Sequence, residues 1–519
     1  MPRPSSIGAL AGLLLTAPLV AVSYLGWKLL DLPFAPFDLF DWATRALPGP
    51  VATFGIDAMV KATGALGAST AMVAKIVEES TAIVFVLVAG MVSGGVLFRV
   101  LSASEEPASL VGAIFGVLSG GIVLLIEQNL NRLTSPGAFV SWAWVFATFV
   151  AWGVTFGWTH DRVRAVPPGA RGSDHATPPV DRRRFLSRLG GAAAAVTVGG
   201  TAWGALFGRS PDSVDGERWS ASHPMPNAGA PLAPAPGTRP EFTPIERHYR
   251  IDTDTRPPAI NGGRWRLKVG GLVQQPLELT LDDLRGYEPL HQFVTLACIS
   301  NPVGGDLVST TRWTGVSLQR LLPRLQPGPS ATHVKMTSAD GFSEVVALAT
   351  IVADERVMLA YEWDGVPLPF EHGFPLRLYV PDLYGMKQPK WIAAIEVLDH
   401  WEPGYWVERG WDREGHMRST AVVDTVASDA RLTDADGRQL TPIGGIAHAG
   451  ARGVSKVEVQ VDDGAWQPAS LREPLSETTW VVWRADLPLQ PGERTITVRC
   501  YERDGTPQTG ALHSKRAPI

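Results

Sequence analysis

Cys298 closes the run Thr295-Leu296-Ala297-Cys298 and is followed by Ile299-Ser300-Asn301 and then Gly304-Gly305-Asp306. A thiol at the end of an apolar run, with polar and glycine residues behind it, sits where a strand ends and a loop opens. Loops on a rigid scaffold are where binding and catalytic side chains collect. Three chemistries are open to such a cysteine: a nucleophile, a soft thiolate ligand to a metal, or a buried inert thiol. A second group of residues lies downstream. It comprises Gly365-Val366-Pro367-Leu368-Pro369, Glu371-His372-Gly373-Phe374-Pro375-Leu376-Arg377-Leu378, and Tyr384-Gly385-Met386-Lys387-Gln388-Pro389-Lys390-Trp391. Arg377 and Lys390 are of the types that pair with phosphate, arginine through a bidentate fork. Each taken singly could equally form a surface salt bridge. Asp340, in Asp340-Gly341-Phe342, and the upstream Glu246-Arg247-His248-Tyr249 complete the set.

These residues need elements to position them. From 241 to 415 short β-type runs alternate with helical pieces and turn residues, an α+β pattern. Trp265–Val269 and Leu376–Val380 are expected as strands and Leu318–Leu325 as a short helix. From 416 to 519 the pattern is all-β: Val457, Val459 and Val461 alternate with polar residues before an Asp462-Asp463-Gly464 turn, and Trp480–Trp483 and Thr495–Tyr501 read as further strands. Short strands of this kind suggest an immunoglobulin-like sandwich. Cys500 lies within a strand and is expected to be a core thiol.

The first 208 residues have a different character. Four stretches, near 7–28, 81–101, 109–128 and 137–158, are long and apolar enough to cross a bilayer. Gly90 and Gly94, and Gly112, Gly116 and Gly120, have the small-xxx-small spacing that lets helix backbones approach. Asp57, Lys61, Lys75 and Glu78 interrupt residues 29–80, which read as extramembrane or interfacial helix. Beyond the fourth span Arg162, Arg164 and Arg171 mark a cytoplasmic flank. Asp181-Arg182-Arg183-Arg184-Phe185-Leu186-Ser187 then precedes an Ala/Gly-rich run from Gly190 to Gly208, a pattern resembling a twin-arginine export signal placed internally. Pro224, Pro226, Pro231, Pro234 and Pro236, among small residues, read as an extended tether. The expected order is therefore a four-helix membrane domain over 1–165, the export-like segment and fifth helix over 166–208, a Pro-rich linker over 209–240, a catalytic domain over 241–415 and a β-domain over 416–519.

The chain has 519 residues, 46 basic and 51 acidic, for a net charge of −5, so it has no global attraction to nucleic acid. Its two cysteines exclude a disulfide framework or a Cys-rich metal site. The 18 tryptophans and 45% apolar content divide between a membrane part and normal soluble patterning.

With Cys298, the second group of motifs resembles the sulfite-oxidase family of molybdopterin enzymes, since several separated motifs recur in order with compatible spacing. The resemblance implies molybdenum held by the dithiolene of one pterin and by the Cys298 thiolate, a ligand soft enough for such a metal. It implies that His372, Arg377 and Lys390 grip the pterin and its phosphate, with Asp340 and Asn301 beside them. Arg247 and His248 are implied to reach the metal pocket, although here the two are adjacent, unlike the family's usual pattern. Two positions depart from eukaryotic sulfite oxidases: Val303 stands where those have an anion-binding arginine, and Trp411 where they have an active-site tyrosine. The β-domain is implied to serve dimerisation.

The expected whole is multi-domain, with an α-helical transmembrane N-terminal part, an α+β sulfite-oxidase-like molybdopterin domain and an all-β immunoglobulin-like C-terminal sandwich. Its expected activity is two-electron oxygen-atom transfer on a small molecule, outside the cytoplasm, with a separate cytochrome or quinone-linked electron carrier. None of the eleven histidines falls inside the four proposed spans, and there is no Cys-x-x-Cys-His motif, so neither haem nor iron-sulfur cluster is expected. The alternatives are a membrane receptor or assembly protein that keeps the fold without metal, and a cysteine hydrolase.

Overall fold

The helices of the N-terminal part are α1 (Pro4–Leu30), α2 (Ala35–Ala46), α3 (Gly49–Leu66), α4 (Thr70–Ala103), α5 (Ala108–Asn129), α6 (Ala138–Arg164) and α7 (Arg182–Phe207). They come from a computed structural model that describes residues 4–66, 70–130, 137–164, 182–207, 216–258 and 260–510. The chain divides into two compact units: residues 1–47, 75–212 and 252–260 form one, and 48–74, 213–251 and 261–519 the other.

Among the described residues of the first unit, five helices, α1, α4, α5, α6 and α7, are long and apolar enough to cross a membrane. The glycine spacing acts as close backbone approach. A Cβ on Gly116 would lie 2.3 Å from the Phe149 carbonyl oxygen, and one on Gly112 would lie 2.2 Å from that of Gly153, so α5 and α6 meet main chain to main chain. Gly94 of α4 approaches the Gly8 carbonyl of α1 in the same way, and Gly90 packs against the Thr16 side chain. One expectation is corrected here. The fourth apolar helix runs on to Arg164 and so contains His160, which is buried, with Nε2 3.4 Å from Ser102 Oγ and its ring edge-on to Phe98. The helices are not histidine-free, and the reason given for expecting no haem in them falls. Residues 29–80 resolve into α2, α3 and the first turns of α4. Arg182 and Arg183 open α7; Asp181 lies outside the described residues.

The second unit contains four sheets. The strands β1 (Leu267–Gly271), β2 (Leu277–Leu279), β3 (Leu290–Ala297), β4 (Val308–Ser317), β5 (His333–Ser338), β6 (Ser343–Ala347), β7 (Met358–Trp363), β8 (Val366–Pro367), β9 (Arg377–Tyr379) and β10 (Ile392–Leu398) build the first two. One has the order β2-β1-β10-β5-β6, with β1 and β10 parallel; the other has β3-β4-β7-β8, with β9 also pairing β7. Every residue of β4 is buried, as expected for a central strand covered on both faces. A short helix, Leu318–Leu325, follows β4, as its sequence indicates, and presents Leu318, Leu321 and Leu325 inward.

The C-terminal part is β-rich. Strands β11 (Thr420–Val426), β12 (Leu432–Thr433), β13 (Gln439–His448), β14 (Val454–Val461), β15 (Gln467–Pro468), β16 (Ser470–Leu471), β17 (Val481–Leu487) and β18 (Ile496–Glu502) form sheets β11-β13-β17-β16, with β12 on β13, and β15-β14-β18. Ile443, Ala447 and Trp483 of one sheet share a core with Val457, Val459 and Cys500 of the other, so Cys500 is a core thiol.

The proline-rich segment is less free than a bare tether. Arg472 donates to the carbonyls of Asn227, Ala230 and Leu232 and pairs with Glu241, Arg239 forks onto Asp424, and Ala235 is buried. Prolines leave carbonyls without matching N–H donors, and a guanidinium with five donors satisfies several at once. Helix α3 also belongs to this unit: Trp411 Nε1 donates to Thr53 Oγ1 at 3.1 Å, and Gly49 packs on the Arg409 backbone.

Candidate active site

Strand β3 ends at Ala297, and Cys298 turns out of the sheet. Its N–H donates to the Leu307 carbonyl at 2.9 Å, and the Asn301 N–H returns to the Cys298 carbonyl at 3.0 Å. Asn301 Oδ1 accepts from the Leu307 N–H at 2.9 Å, so Asn301 closes the loop that carries the cysteine. The half-buried thiol packs against a cluster containing Tyr249, Leu296, Trp313, Trp363 and Tyr379.

Three other expected residues converge on the same cluster. The His248 ring lies 4.5 Å edge-on from Trp363, His372 lies 4.5 Å from Trp363 and 5.4 Å from His248, and the Arg377 guanidinium stands 4.4 Å over Trp313. Arg377 also donates to the His372 carbonyl at 2.9 Å. Gly373 makes this convergence feasible. Its φ is +112°, and a Cβ there would lie 3.1 Å from the Cβ atoms of both Arg377 and Lys390. Lys390 Nζ donates to the carbonyls of Glu371 at 3.1 Å and Ile251 at 3.2 Å.

Burial and the neighbouring Arg377 and Lys390 push His248 down to about 3, against one opposing hydrogen bond with the Tyr249 carbonyl. The imidazole is therefore neutral at physiological pH; with Nδ1–H donating to the Tyr249 carbonyl, Nε2 carries no proton and is left as an acceptor. Burial likewise raises Tyr249 well above the ordinary phenol range.

Other expected residues are placed differently. Arg247, in the turn that swings His248 inward, is exposed. Asp340 is buried in the β5–β6 turn, its carboxylate accepting from the Phe342 N–H at 3.0 Å, while the Ala339 N–H donates to the Trp391 carbonyl. Trp411 is buried, stacked on Trp406 at 4.1 Å and bonded to Thr53. Val303 is 76% exposed.

Sequence reasoning missed the aromatic wall of Trp313, Trp363 and Tyr249, and the buried pair Lys387–Glu344, 2.6 Å apart. The two tryptophans are cross-strand partners in β4 and β7, so correct strand pairing would have joined them. Nothing local to Glu344 announces its partner.

Residues 254–406 match the family described as "Oxidoreductase molybdopterin binding domain". The chain is 28% identical over 290 residues to mitochondrial sulfite oxidase of Macaca fascicularis, covering 48% of this chain and 53% of that protein. Residues 254–406 are thus a molybdopterin-binding oxidoreductase domain, and the chain around them is similar to sulfite oxidases. It is also 29% identical over 187 residues to the putative protein-methionine-sulfoxide reductase subunit YedZ1 of Azospira oryzae, covering 36% of this chain and 68% of that one. Among solved structures it is similar to the sulfane dehydrogenase SoxCD from Paracoccus pantotrophus, with a TM-score of 0.46 and 20% identity, over 59% of this chain and 87% of that one. The chain spans about half the length of the sulfite oxidases it matches. Cys298, His248, His372 and Arg377 are the expected residues that one aromatic cluster gathers.

Proposed function

We propose that the chain is a membrane-anchored molybdenum-pterin oxidoreductase that transfers an oxygen atom to or from a small molecule, with Cys298 as the protein's ligand to the metal. The observation that carries this reading is a set of buried polar atoms with no hydrogen-bond partner among the described residues: His248 Nε2, Trp313 Nε1 and Trp363 Nε1. Each such atom costs about 1–3 kcal/mol when left unmade. Three around one aromatic cluster, beside a thiol and a guanidinium, fit a polar ligand that supplies their partners.

When bound, such a centre supplies two-electron oxygen-atom chemistry, and the protein supplies binding, orientation and charge. Arg377, Lys390 and His372 would hold the pterin and its phosphate, the cations offsetting anionic charge in a water-poor wall. His248, neutral at physiological pH with its proton on Nδ1, accepts one hydrogen bond at Nε2 without adding a third positive charge beside Arg377 and Lys390. The Cys298 loop, closed by Asn301, holds the half-buried thiol at the strand end, against the cluster.

The further assignments are of the same standing. Arg247 and Trp411 are read as lining the approach to the metal, and Asp340 as lying beside the pterin. With Val303 and Trp411 in place of the expected arginine and tyrosine, a sulfite-binding pocket would lack two of its parts, and no substrate is assigned. The five apolar helices anchor the chain with its N-terminus and the Arg162–Arg188 region cytoplasmic, and the twin-arginine-like segment carries the catalytic unit outward already folded. The C-terminal sheets form an immunoglobulin-like dimerisation body, and electrons pass to a separate cytochrome or quinone-linked partner.

Cys298→Ser tests the central assignment. A hydroxyl is a poorer ligand than a thiolate, so the variant is expected to fold, insert and lose turnover in a dye-linked oxygen-transfer assay. Activity equal to that of the parent would refute the ligand role.

A further inference from the structure

Within the catalytic unit, the turn at 381–385 and the connector at 415–418 run side by side. The Tyr384 N–H donates to the Gly415 carbonyl at 2.8 Å, the Met417 N–H donates to the Asp382 carbonyl at 2.8 Å, and Leu383 and His416 form a β-bridge. Asp382 ties the two together. It holds φ at +70°, and its carboxylate accepts from His416 Nδ1 at 2.8 Å and from Arg452. Arg452 also pairs with Glu502 at 2.8 Å and donates to the Met417 carbonyl at 2.6 Å. A Cβ on Gly450 would collide with the Asp382 carboxylate, so glycine is what admits this approach.

These bonds set the direction of Tyr384. Its ring is half-buried and packs in a cluster with Ala297, the residue before Cys298. A Cβ on the next residue, Gly385, would lie 3.5 Å from the Ala297 carbonyl oxygen, which belongs to the peptide joining Ala297 to Cys298. Burial pushes the phenol up, the Arg418 N–H and guanidinium oppose that shift, and Cys298 adds to it, so the hydroxyl lies within electrostatic reach of the thiol. Tyr384 Oη accepts from the Arg418 N–H at 3.1 Å. That bond uses a lone pair and leaves the hydroxyl proton to donate. Among the described residues no acceptor takes it.

We propose that Tyr384 is a substrate-binding residue of the oxygen-transfer site, its hydroxyl donating to the oxygen of a small uncharged oxo compound held beside Cys298. The inference rests on the reading of Cys298 as the metal's ligand. The charge of this corner decides the class of substrate. Its cations are already matched by carboxylates, Arg452 by Asp382 and Glu502 and His416 by Asp382, while the Arg418 side chain is exposed and screened by water. An oxoanion would meet those carboxylates as well as the cations, and would give up its hydration for a neutral donor. An uncharged compound with a polarised oxygen needs only the phenol's one hydrogen bond.

The experiment uses the full molybdenum-loaded chain in detergent, in parental form and as Tyr384→Phe, which keeps the packed ring and removes only the hydroxyl. Two inert probes of similar tetrahedral shape and different charge, dimethyl sulfone and sulfate, are titrated while the visible absorption of the oxidised centre is followed. Molybdenum per chain and thermal unfolding are measured alongside. The parent is expected to bind dimethyl sulfone more tightly than sulfate. Tyr384→Phe is expected to weaken the sulfone about tenfold, the effect of one hydrogen bond, with molybdenum content and melting temperature unchanged. Equal sulfone affinity in the two chains, or a loaded parent that prefers sulfate or binds neither probe, would overturn the proposal. So would a weaker affinity that comes with lower molybdenum content or melting temperature, since the hydroxyl would then be structural. A parental chain without molybdenum would instead refute the function on which the proposal rests, so the two failures are distinct.

Discussion

Lys387 and Glu344 are both almost wholly removed from water, with side-chain exposures of 4% and 0%, and their charges are compensated by a bond of 2.6 Å. Burial pushes the Glu344 carboxyl up, and the Lys387 ammonium opposes that shift. Gly404 completes the arrangement, since a Cβ there would lie 2.5 Å from a Glu344 oxygen. The pair pins the turn Gly385–Lys387, which leads directly to Lys390. Lys387→Met is therefore expected to destabilise the catalytic unit by about 3–5 kcal/mol, because it strands a buried carboxylate, whereas Lys387→Met with Glu344→Leu should recover most of the loss. Thermal unfolding of the two variants reads the difference, and equal melting temperatures would contradict it. At this scale Cys298 stood out by its place at the end of an apolar run, while His248, His372 and Arg377 were named through the resemblance to the sulfite-oxidase family; one aromatic cluster gathers the four. The tryptophans that form the cluster, and the glutamate facing Lys387, were hidden because their partners are distant in sequence.

Elements with strong periodicity were read closely and their ends less so. Leu318–Leu325 is helical from end to end, while the strand expected at Trp265–Val269 runs from Leu267 to Gly271. Trp265 is apolar enough to suggest strand, but it buries its ring ahead of the sheet and donates Nε1 to the Ile392 carbonyl instead. The expected fourth span stopped at residue 158, ahead of a polar patch, yet the helix continues through His160 because intrahelical hydrogen bonding does not require apolar side chains. The proline-rich segment was read as unattached, since composition reports that a stretch cannot build a core but says nothing of whether Arg472 and Arg239 of this chain will hold it. The start of α7 carries a prediction of its own. Replacing Arg182 and Arg183 by lysine is expected to trap residues 209–519 on the cytoplasmic side while the first four apolar helices insert normally. Protease accessibility in spheroplasts measures this, and normal exposure of the catalytic unit would contradict the export reading.

At the scale of the molecule, the two units exchange sequence. Helix α3, from the N-terminal third, is part of the catalytic unit, and Asp252–Ile260, from the catalytic stretch, is part of the helical one. Neither unit is a contiguous piece of chain, which linear boundaries at 209 or 241 do not convey. The helical unit includes a buried histidine, so the route by which electrons leave is a question for spectroscopy of the full chain and is not decided by histidine count. The account stands or falls on the metal. Elemental analysis of the purified full-length parent and of Cys298→Ser, each normalised to chain concentration, tests it most directly. The account predicts molybdenum in near-stoichiometric amount with the parental chain and a marked loss in the variant. A well-folded parent, expressed in molybdenum-replete cells that load other pterin enzymes, yet carrying no molybdenum, would contradict it.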